Sequence, residues 1–212
     1  MAAFCPPATG RSLIPSEAAP PGVLIVPNFL NASTCAEWCE YFRSQERMPL
    51  EVQNIDAYEH NREIAFEHSE GRITEAVDYR GLKSEVVGEV ARGFSECVMP
   101  YFNTQLAAFE KPTVLRYLPG GKYDAHSDNE LWDSTIGKWK KTLNRDFSIL
   151  IYLNNEYDGG KLAFPNFLCK VAPSTGLLVA FPSDHRYLHA AEPVISGERY
   201  ALVSWAARTK SV

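Results

Sequence analysis

His126-Ser127-Asp128 and, further along, His189 are the residues of this chain whose types and spacing suit chemistry best. Two imidazoles and one carboxylate are the protein ligands of a 2-His-1-carboxylate facial triad, which leaves positions of an octahedral Fe(II) open for a co-substrate and oxygen. A His-x-Asp triplet alone arises by chance and is common in loops, so its weight depends on its surroundings. Arg199 follows His189 at the start of a strand-like run, and a barrel can bring such segments to one open end. Other readings stand beside this one. Asp128 can cap a turn, Arg199 can lie at the surface, and His185 rivals His189 for the third position. His60 and His68 have no partner at ligand spacing and read as surface or substrate-rim histidines.

Around these residues the chain must build a core, and its composition allows one. In 212 residues, 45% are hydrophobic and 12% aromatic, enough for one large domain. A net charge of −5 lacks the basic footprint expected for a duplex nucleic acid partner. No apolar run approaches the roughly 18 residues that span a bilayer. The N-terminus also lacks the basic and apolar regions of a secretion signal. Cys5, Cys35, Cys39, Cys97 and Cys169 are an odd set without framework spacing, which predicts reduced thiols and a cytoplasmic protein. Cys35 and Cys39 are one helical turn apart; buried thiols on a helix face are a simpler reading than half of a zinc site.

Residues 1–21 hold Pro6, Pro7, Pro15, Pro20 and Pro21 among small residues, which predicts a flexible or surface-draped arm. Val23–Val26 reads as a buried strand bounded by Gly22 and Pro27. Asn31 or Ser33 can cap a helix whose apolar face is Cys35, Trp38, Cys39 and Phe42, at i, i+3, i+4 and i+7. Residues 47–80 suggest a strand or two with long loops. Leu82 to about Leu106 is helical in pattern, interrupted near Pro100, and such helices would pack on one face of a sheet. From Thr113 the texture changes. Thr113–Leu118, Phe147–Leu153, Lys161–Phe164, Gly176–Phe181 and Tyr200–Ala206 read as strands separated by Gly, Pro, Asn and Asp, as in a sandwich or barrel.

Four ordered blocks carry a resemblance. They are Arg116-Tyr117-Leu118-Pro119-Gly120; Arg145 to Asn154; Asp158-Gly159-Gly160-Lys161-Leu162-Ala163-Phe164; and Leu188-His189 through Pro193-Val194, Gly197 and Arg199-Tyr200-Ala201-Leu202 to Trp205. Across roughly 113–206 the chain resembles the Fe(II)- and 2-oxoglutarate-dependent dioxygenases, particularly their prolyl 4-hydroxylase-like branch. The resemblance implies an α+β, mostly β fold within a single domain over 22–212. A double-stranded β-helix (jelly-roll) core would lie at about 113–207, with N-terminal helices at about 31–108 packed on one sheet. It implies that His126, Asp128 and His189 bind Fe(II), and that Arg199 holds the distal carboxylate of 2-oxoglutarate. A guanidinium suits that task because it stays protonated and pairs with a carboxylate through two bonds. Collagen-type prolyl 4-hydroxylases have Lys there, whereas oxygen-sensing and bacterial prolyl hydroxylases have Arg. Tyr152 would bond the same carboxylate, Tyr117 would line the pocket, Leu162 would form its apolar wall, and Trp205 would pack beside it. Tyr117 and Tyr152 can equally be ordinary strand aromatics.

The implied reaction consumes O2 and 2-oxoglutarate, releases succinate and CO2, and hydroxylates an unactivated C–H bond, with ascorbate as supporting reductant. Asp128 points to hydroxylation, because related halogenases have a small residue there and bind chloride instead. A prolyl or other residue of a protein is the first expected substrate; a free amino acid or other small metabolite is the second. A non-catalytic metal-binding sensor is the reading from another class, and the intact triad with Arg199 argues against it. Nucleic-acid demethylation is disfavoured by Trp205, which stands where that branch has a second arginine. Segment 129–144, with Trp132, Trp139, Lys138, Lys140 and Lys141, is either a lid over the site or a solvated loop packed on the barrel.

Overall fold

The computed structural model describes residues 19–53 and 66–209. Most of the proline-rich arm, together with Cys5 and His60, therefore lies outside the described residues. Leu24–Val26 forms strand β1. Asn31 then starts helix α1 (Ala32–Arg43) by accepting the Thr34 amide on its side-chain oxygen at 2.8 Å. Cys35, Trp38, Cys39 and Phe42 of α1 are all buried, as their spacing predicts. Five short strands follow: β2 (Arg47–Pro49), β3 (Val52–Gln53), β4 (Phe66–Glu67), β5 (Arg72–Ile73) and β6 (Glu75–Val77).

Helix α2 (Lys83–Arg92) runs on through a π-helical turn, Gly93–Val98, to Tyr101. Gly93 is pressed against the sheet: a Cβ there would meet Ile149 Cδ1 at 2.6 Å and Leu178 Cδ1 at 3.0 Å. The helical pattern was expected to reach about Leu106, and here the structure differs. Asn103 adopts a left-handed φ of 45°, and the Thr104 amide reaches back to the Met99 carbonyl at 3.1 Å, which closes the helix. Leu106–Phe109 is instead strand β7.

The rest is β structure: β8 (Thr113–Tyr117), β9 (Lys122–His126), β10 (Glu130–Asp133), β11 (Lys138–Lys141), β12 (Phe147–Tyr152), β13 (Tyr157–Gly159), β14 (Leu162–Phe164), β15 (Cys169–Val171), β16 (Leu178–Pro182), β17 (His189–Ala191), β18 (Val194–Gly197) and β19 (Arg199–Arg208). One sheet has eight strands in the order β1-β16-β12-β19-β8-β6-β2, with β7 also paired to β19. A second has five, in the order β15-β14-β17-β9-β5. The fold is the expected mostly β jelly roll with helices against one sheet. Segment 129–144 is not a plain loop: β10 and β11 pair as a hairpin with Trp132 opposite Trp139.

Two cores follow from the period of two along each strand. Phe147, Ile149 and Ile151 of β12 pack with Tyr200 and Leu202 of β19 against α1 and α2. Leu150 and Tyr152 turn the other way, and with Val179, Phe181, Ala201 and Val203 they meet Leu162, Phe164 and Ala191 of the second sheet. Both faces of β12 are covered, so it reads as a nearly unbroken apolar run rather than an alternating one. Among the described residues no helix is long and apolar enough to cross a membrane.

Candidate active site

β9 and β17 are neighbours in the second sheet, and their pairing sets His126 directly opposite His189. The two ring centroids are 4.3 Å apart. Just beyond β9, the Asp128 amide and the Ser127 hydroxyl both donate to the Ser183 carbonyl, at 3.1 and 3.0 Å. That turn swings the Asp128 carboxylate between the rings: Oδ1 lies 3.6 Å from His126 Nε2, and Oδ2 lies 3.5 Å from His189 Nε2. One donor atom from each of the three residues falls within 4.8 Å of the others, a group that could hold a metal ion.

The imidazoles are oriented for this. His126 Nδ1 is 2.8 Å from the Asp124 carbonyl, and His189 Nδ1 is 3.1 Å from the Tyr187 carbonyl. A carbonyl only accepts, so each Nδ1 carries the proton and each Nε2 turns a lone pair toward the shared space. Burial pushes the His189 imidazole down to about 4, with His126 adding to the effect and Asp128 opposing it. Burial alone would raise the Asp128 carboxyl, but His189, His126 and the Ser148 hydroxyl outweigh it and hold it well below the usual carboxylate range. Near neutral pH the site therefore offers a neutral His189 imidazole and an ionised Asp128 carboxylate, the forms in which such groups bind a metal.

Beside the triad, a cavity of about 130 Å³ opens between the sheets. Tyr117, Leu162, Arg199, Val203 and Trp205 line it. Arg199 is 1% exposed, its guanidinium 4.5 Å from the Tyr117 ring centre and 5.1 Å from that of Tyr152. Gly160, at a φ of +60°, makes room for it: a Cβ there would lie 3.2 Å from Arg199 Cδ. Arg199 Nε and Nη1 are buried without a hydrogen-bond partner among the described residues, and so are the hydroxyls of Tyr152 and Tyr157. An uncompensated buried cation costs several kcal/mol, so this end of the cavity is built for an anion. A carboxylate placed here would meet a guanidinium and phenol donors, while the triad faces the same space.

The sequence-derived set thus converges. His126, Asp128 and His189 form one cluster, and Arg199, Tyr117, Leu162 and Trp205 line the adjoining cavity, with Tyr152 behind Arg199. His185 does not join them. Its Nδ1 pairs with Glu130 at 2.7 Å, and its ring stacks on Trp139 at 5.2 Å. His68 is an exposed residue 3.7 Å from Glu51. Cys35 and Cys39 are buried free thiols. Two of the hairpin lysines are engaged too, Lys140 with Asp133 at 3.2 Å and Lys141 with Asp146 at 2.8 Å.

Sequence reasoning missed several contributors. Arg145 donates to the Asp128 carbonyl at 3.2 Å, pairs with Glu110 at 2.6 Å, and lies 3.7 Å above the Trp205 ring. Tyr123 stacks on His126 with centroids 3.6 Å apart. Val52, Phe66 and Arg72 from the short N-terminal strands line the cavity, as does Leu143 beyond the hairpin. Ser148 and Ser183 reach Asp128 or its neighbours from inside the barrel. The one available signal was that Ser148 interrupts an otherwise apolar strand.

Comparison with known proteins gives three findings. Residues 112–207 match the model of the 2OG-Fe(II) oxygenase superfamily. A protein of Acanthamoeba polyphaga mimivirus, provisionally named a prolyl 4-hydroxylase, is 36% identical over 121 residues, covering 52% of this chain and 50% of that one. Prolyl 3-hydroxylase 3 of Homo sapiens is 38% identical over 92 residues, covering 39% of this chain and 12% of that one. The chain thus spans half or less of the length of these relatives. Among solved structures, a prolyl hydroxylase from Trichoplax adhaerens, in complex with a hypoxia inducible factor oxygen degradation domain peptide fragment, shares the fold at a TM-score of 0.60. It is 24% identical, with 88% of this chain and 83% of that one covered.

Proposed function

With residues 112–207 a domain of the 2OG-Fe(II) oxygenase superfamily, of prolyl 4-hydroxylase-like kind, we propose that the chain is an Fe(II)- and 2-oxoglutarate-dependent dioxygenase. It hydroxylates an unactivated C–H bond of a prolyl or other residue in a protein substrate and releases succinate and CO2. The observation that carries this reading is the buried Arg199 guanidinium, whose Nε and Nη1 have no hydrogen-bond partner among the described residues, in the cavity that the triad also lines. A metal site alone would not need it; a metal site serving a dicarboxylate co-substrate does.

In this reading His126, Asp128 and His189 hold Fe(II), and Arg199 with Tyr152 anchors the far carboxylate of 2-oxoglutarate. When bound, metal and co-substrate supply the oxidising power that an unactivated C–H bond demands. The chain's own residues do the rest. The two Nδ1–H···O=C bonds fix the ring orientations, and Asp128 fills the position that a halogenase leaves to chloride. Leu162, Val203 and Leu150 keep the cavity wall apolar, which limits water around the reacting groups. The peptide bound by the Trichoplax adhaerens enzyme supports a peptide substrate here. Ascorbate would serve as the reductant that sustains turnover, and the buried free thiols support a reducing, cytoplasmic setting.

The test incubates purified protein with Fe(II), 2-oxoglutarate and ascorbate, against whole-cell peptides and, separately, a metabolite pool. A mass gain of one oxygen in peptides with matching succinate is expected. The same gain confined to metabolites would overturn the protein-substrate assignment. No succinate from any pool, despite bound Fe(II) and 2-oxoglutarate, would leave a sensor. Omitting ascorbate should shorten the time course, and fractionation of cells expressing a tagged chain should place it in the soluble cytoplasm.

A further inference from the structure

Asp128 has two oxygens, and each faces one imidazole: Oδ1 at 3.6 Å from His126 Nε2 and Oδ2 at 3.5 Å from His189 Nε2. By position alone, both could reach a shared ion. A carboxylate that chelates through both atoms takes an additional coordination position, one that 2-oxoglutarate or oxygen needs. Something must decide between one-point and two-point contact, and the inner face of β12 supplies it. Ser148 is wholly buried between Phe147 and Ile149, and its hydroxyl lies 2.5 Å from Asp128 Oδ2. The Ser183 hydroxyl, 1% exposed, is 2.8 Å from the Ser148 oxygen.

The direction of this chain follows from valence. An ionised carboxylate only accepts, so the single Ser148 hydrogen goes to Asp128 and Ser148 accepts from Ser183. The bond to Oδ2 is charge-assisted and short, the strong class of hydrogen bond. Inside the barrel, away from bulk solvent, such a bond is electrostatically stronger than it would be in water. We infer that Ser148, backed by Ser183, is a positioning residue that ties down Oδ2, limits Asp128 to one-point contact through Oδ1, and so keeps a metal position open for the co-substrate. This rests on reading the triad as the iron site, and it assigns a role to a residue that touches neither metal nor co-substrate.

The test uses the full chain without oxygen and without any substrate. Fe(II) affinity, 2-oxoglutarate affinity from the visible absorption of its Fe(II) chelate, and thermal melting are measured for wild type, Ser148→Ala and Ser148→Thr. For Ser148→Ala the inference expects Fe(II) affinity kept or tightened while 2-oxoglutarate affinity falls about tenfold or more, a pattern distinct from the roughly 10–100-fold loss of metal affinity or activity that removing a partner behind a metal ligand ordinarily brings. Ser148→Thr, which keeps the hydroxyl, should restore 2-oxoglutarate affinity. Unchanged 2-oxoglutarate affinity in Ser148→Ala overturns the inference. So does a loss of Fe(II) affinity in step with 2-oxoglutarate, because the serine would then only hold the carboxylate in place. If wild type itself binds neither Fe(II) nor 2-oxoglutarate, the reading of the site fails first and the inference falls with it.

Discussion

The two faces of the eight-stranded sheet are made from the same strands and have opposite characters. Toward the helices, Phe147, Ile149 and Ile151 of β12 and Tyr200, Leu202 and Ala206 of β19 join Cys35, Trp38, Phe42, Val86, Val90 and Phe94 in one apolar layer. Ser204 is the polar exception there, and it is satisfied by the Glu110 carbonyl at 2.6 Å. Toward the second sheet, the alternate positions include Ser148, Arg199 and Trp205, beside a carboxylate and two imidazoles. Arg199 Nε and Nη1, Tyr152 Oη and Trp205 Nε1 are buried there without hydrogen-bond partners among the described residues. One face spends its burial on stability, and the other holds polar groups whose partners must come from outside. Substitutions one residue apart should therefore fail in different assays.

The largest effect belongs to the inner face. His126→Ala or Asp128→Ala should abolish iron-dependent succinate production while the melting temperature stays close to wild type; full activity in either would sink the metal assignment. Arg199→Ala comes next. Truncating one partner of a buried charge pair costs about 2–5 kcal/mol, so the 2-oxoglutarate requirement should rise at least thirtyfold, roughly, with turnover at saturation less affected. In the absence of co-substrate this variant should melt no lower than wild type, because it removes a buried cation that has no anion beside it among the described residues. A marked drop in its melting temperature would mean that Arg199 serves the fold.

The outer face should behave in reverse. Phe42 is wholly buried between α1 and the sheet, 6.3 Å from the Tyr200 ring. Phe42→Ala should lower stability by about 3–5 kcal/mol. The surviving folded protein should bind 2-oxoglutarate as wild type does, by titration at low temperature. A weakened co-substrate affinity would show that the two faces are coupled through the strands between them.

How far this division was legible depended on which face a residue serves. Strands covered on both sides, such as β12, β16 and β19, announce themselves as apolar runs. The α1 face was readable from Cys35, Trp38, Cys39 and Phe42, and Asn31 was one of its two expected caps. β7 was hidden because Leu106 continues a helical spacing, while the Asn103 turn that ends the helix is a single residue. The β10–β11 hairpin was hidden because lysines and tryptophans there follow neither period cleanly. In the site, residue types and order marked His126, Asp128, His189 and Arg199. Their meeting depends on His126 pairing opposite His189, a register set between strands distant in sequence. Ser148 could not be assigned from the chain alone, because its role exists only once Asp128 is folded back over β12.

The smallest effect tests the outer face at its edge. Asn31 holds the start of α1 by accepting the Thr34 amide at 2.8 Å and the Ser33 hydroxyl at 2.7 Å. Both bonds are exposed, and losing such a cap costs about 0.5–2 kcal/mol. Asn31→Ala should therefore lower the melting temperature by a few degrees, about 2–4 °C per kcal/mol for a chain of this size. Asn31→Asp keeps the acceptor and should stay near wild type. Helix α1 packs only on the face away from the cavity, so neither change should move Fe(II) or 2-oxoglutarate affinity. If Asn31→Ala weakened either ligand while Asn31→Asp did not, strain at the helix start would be reaching the inner face, and the separation of stability from chemistry across this sheet would have to be given up.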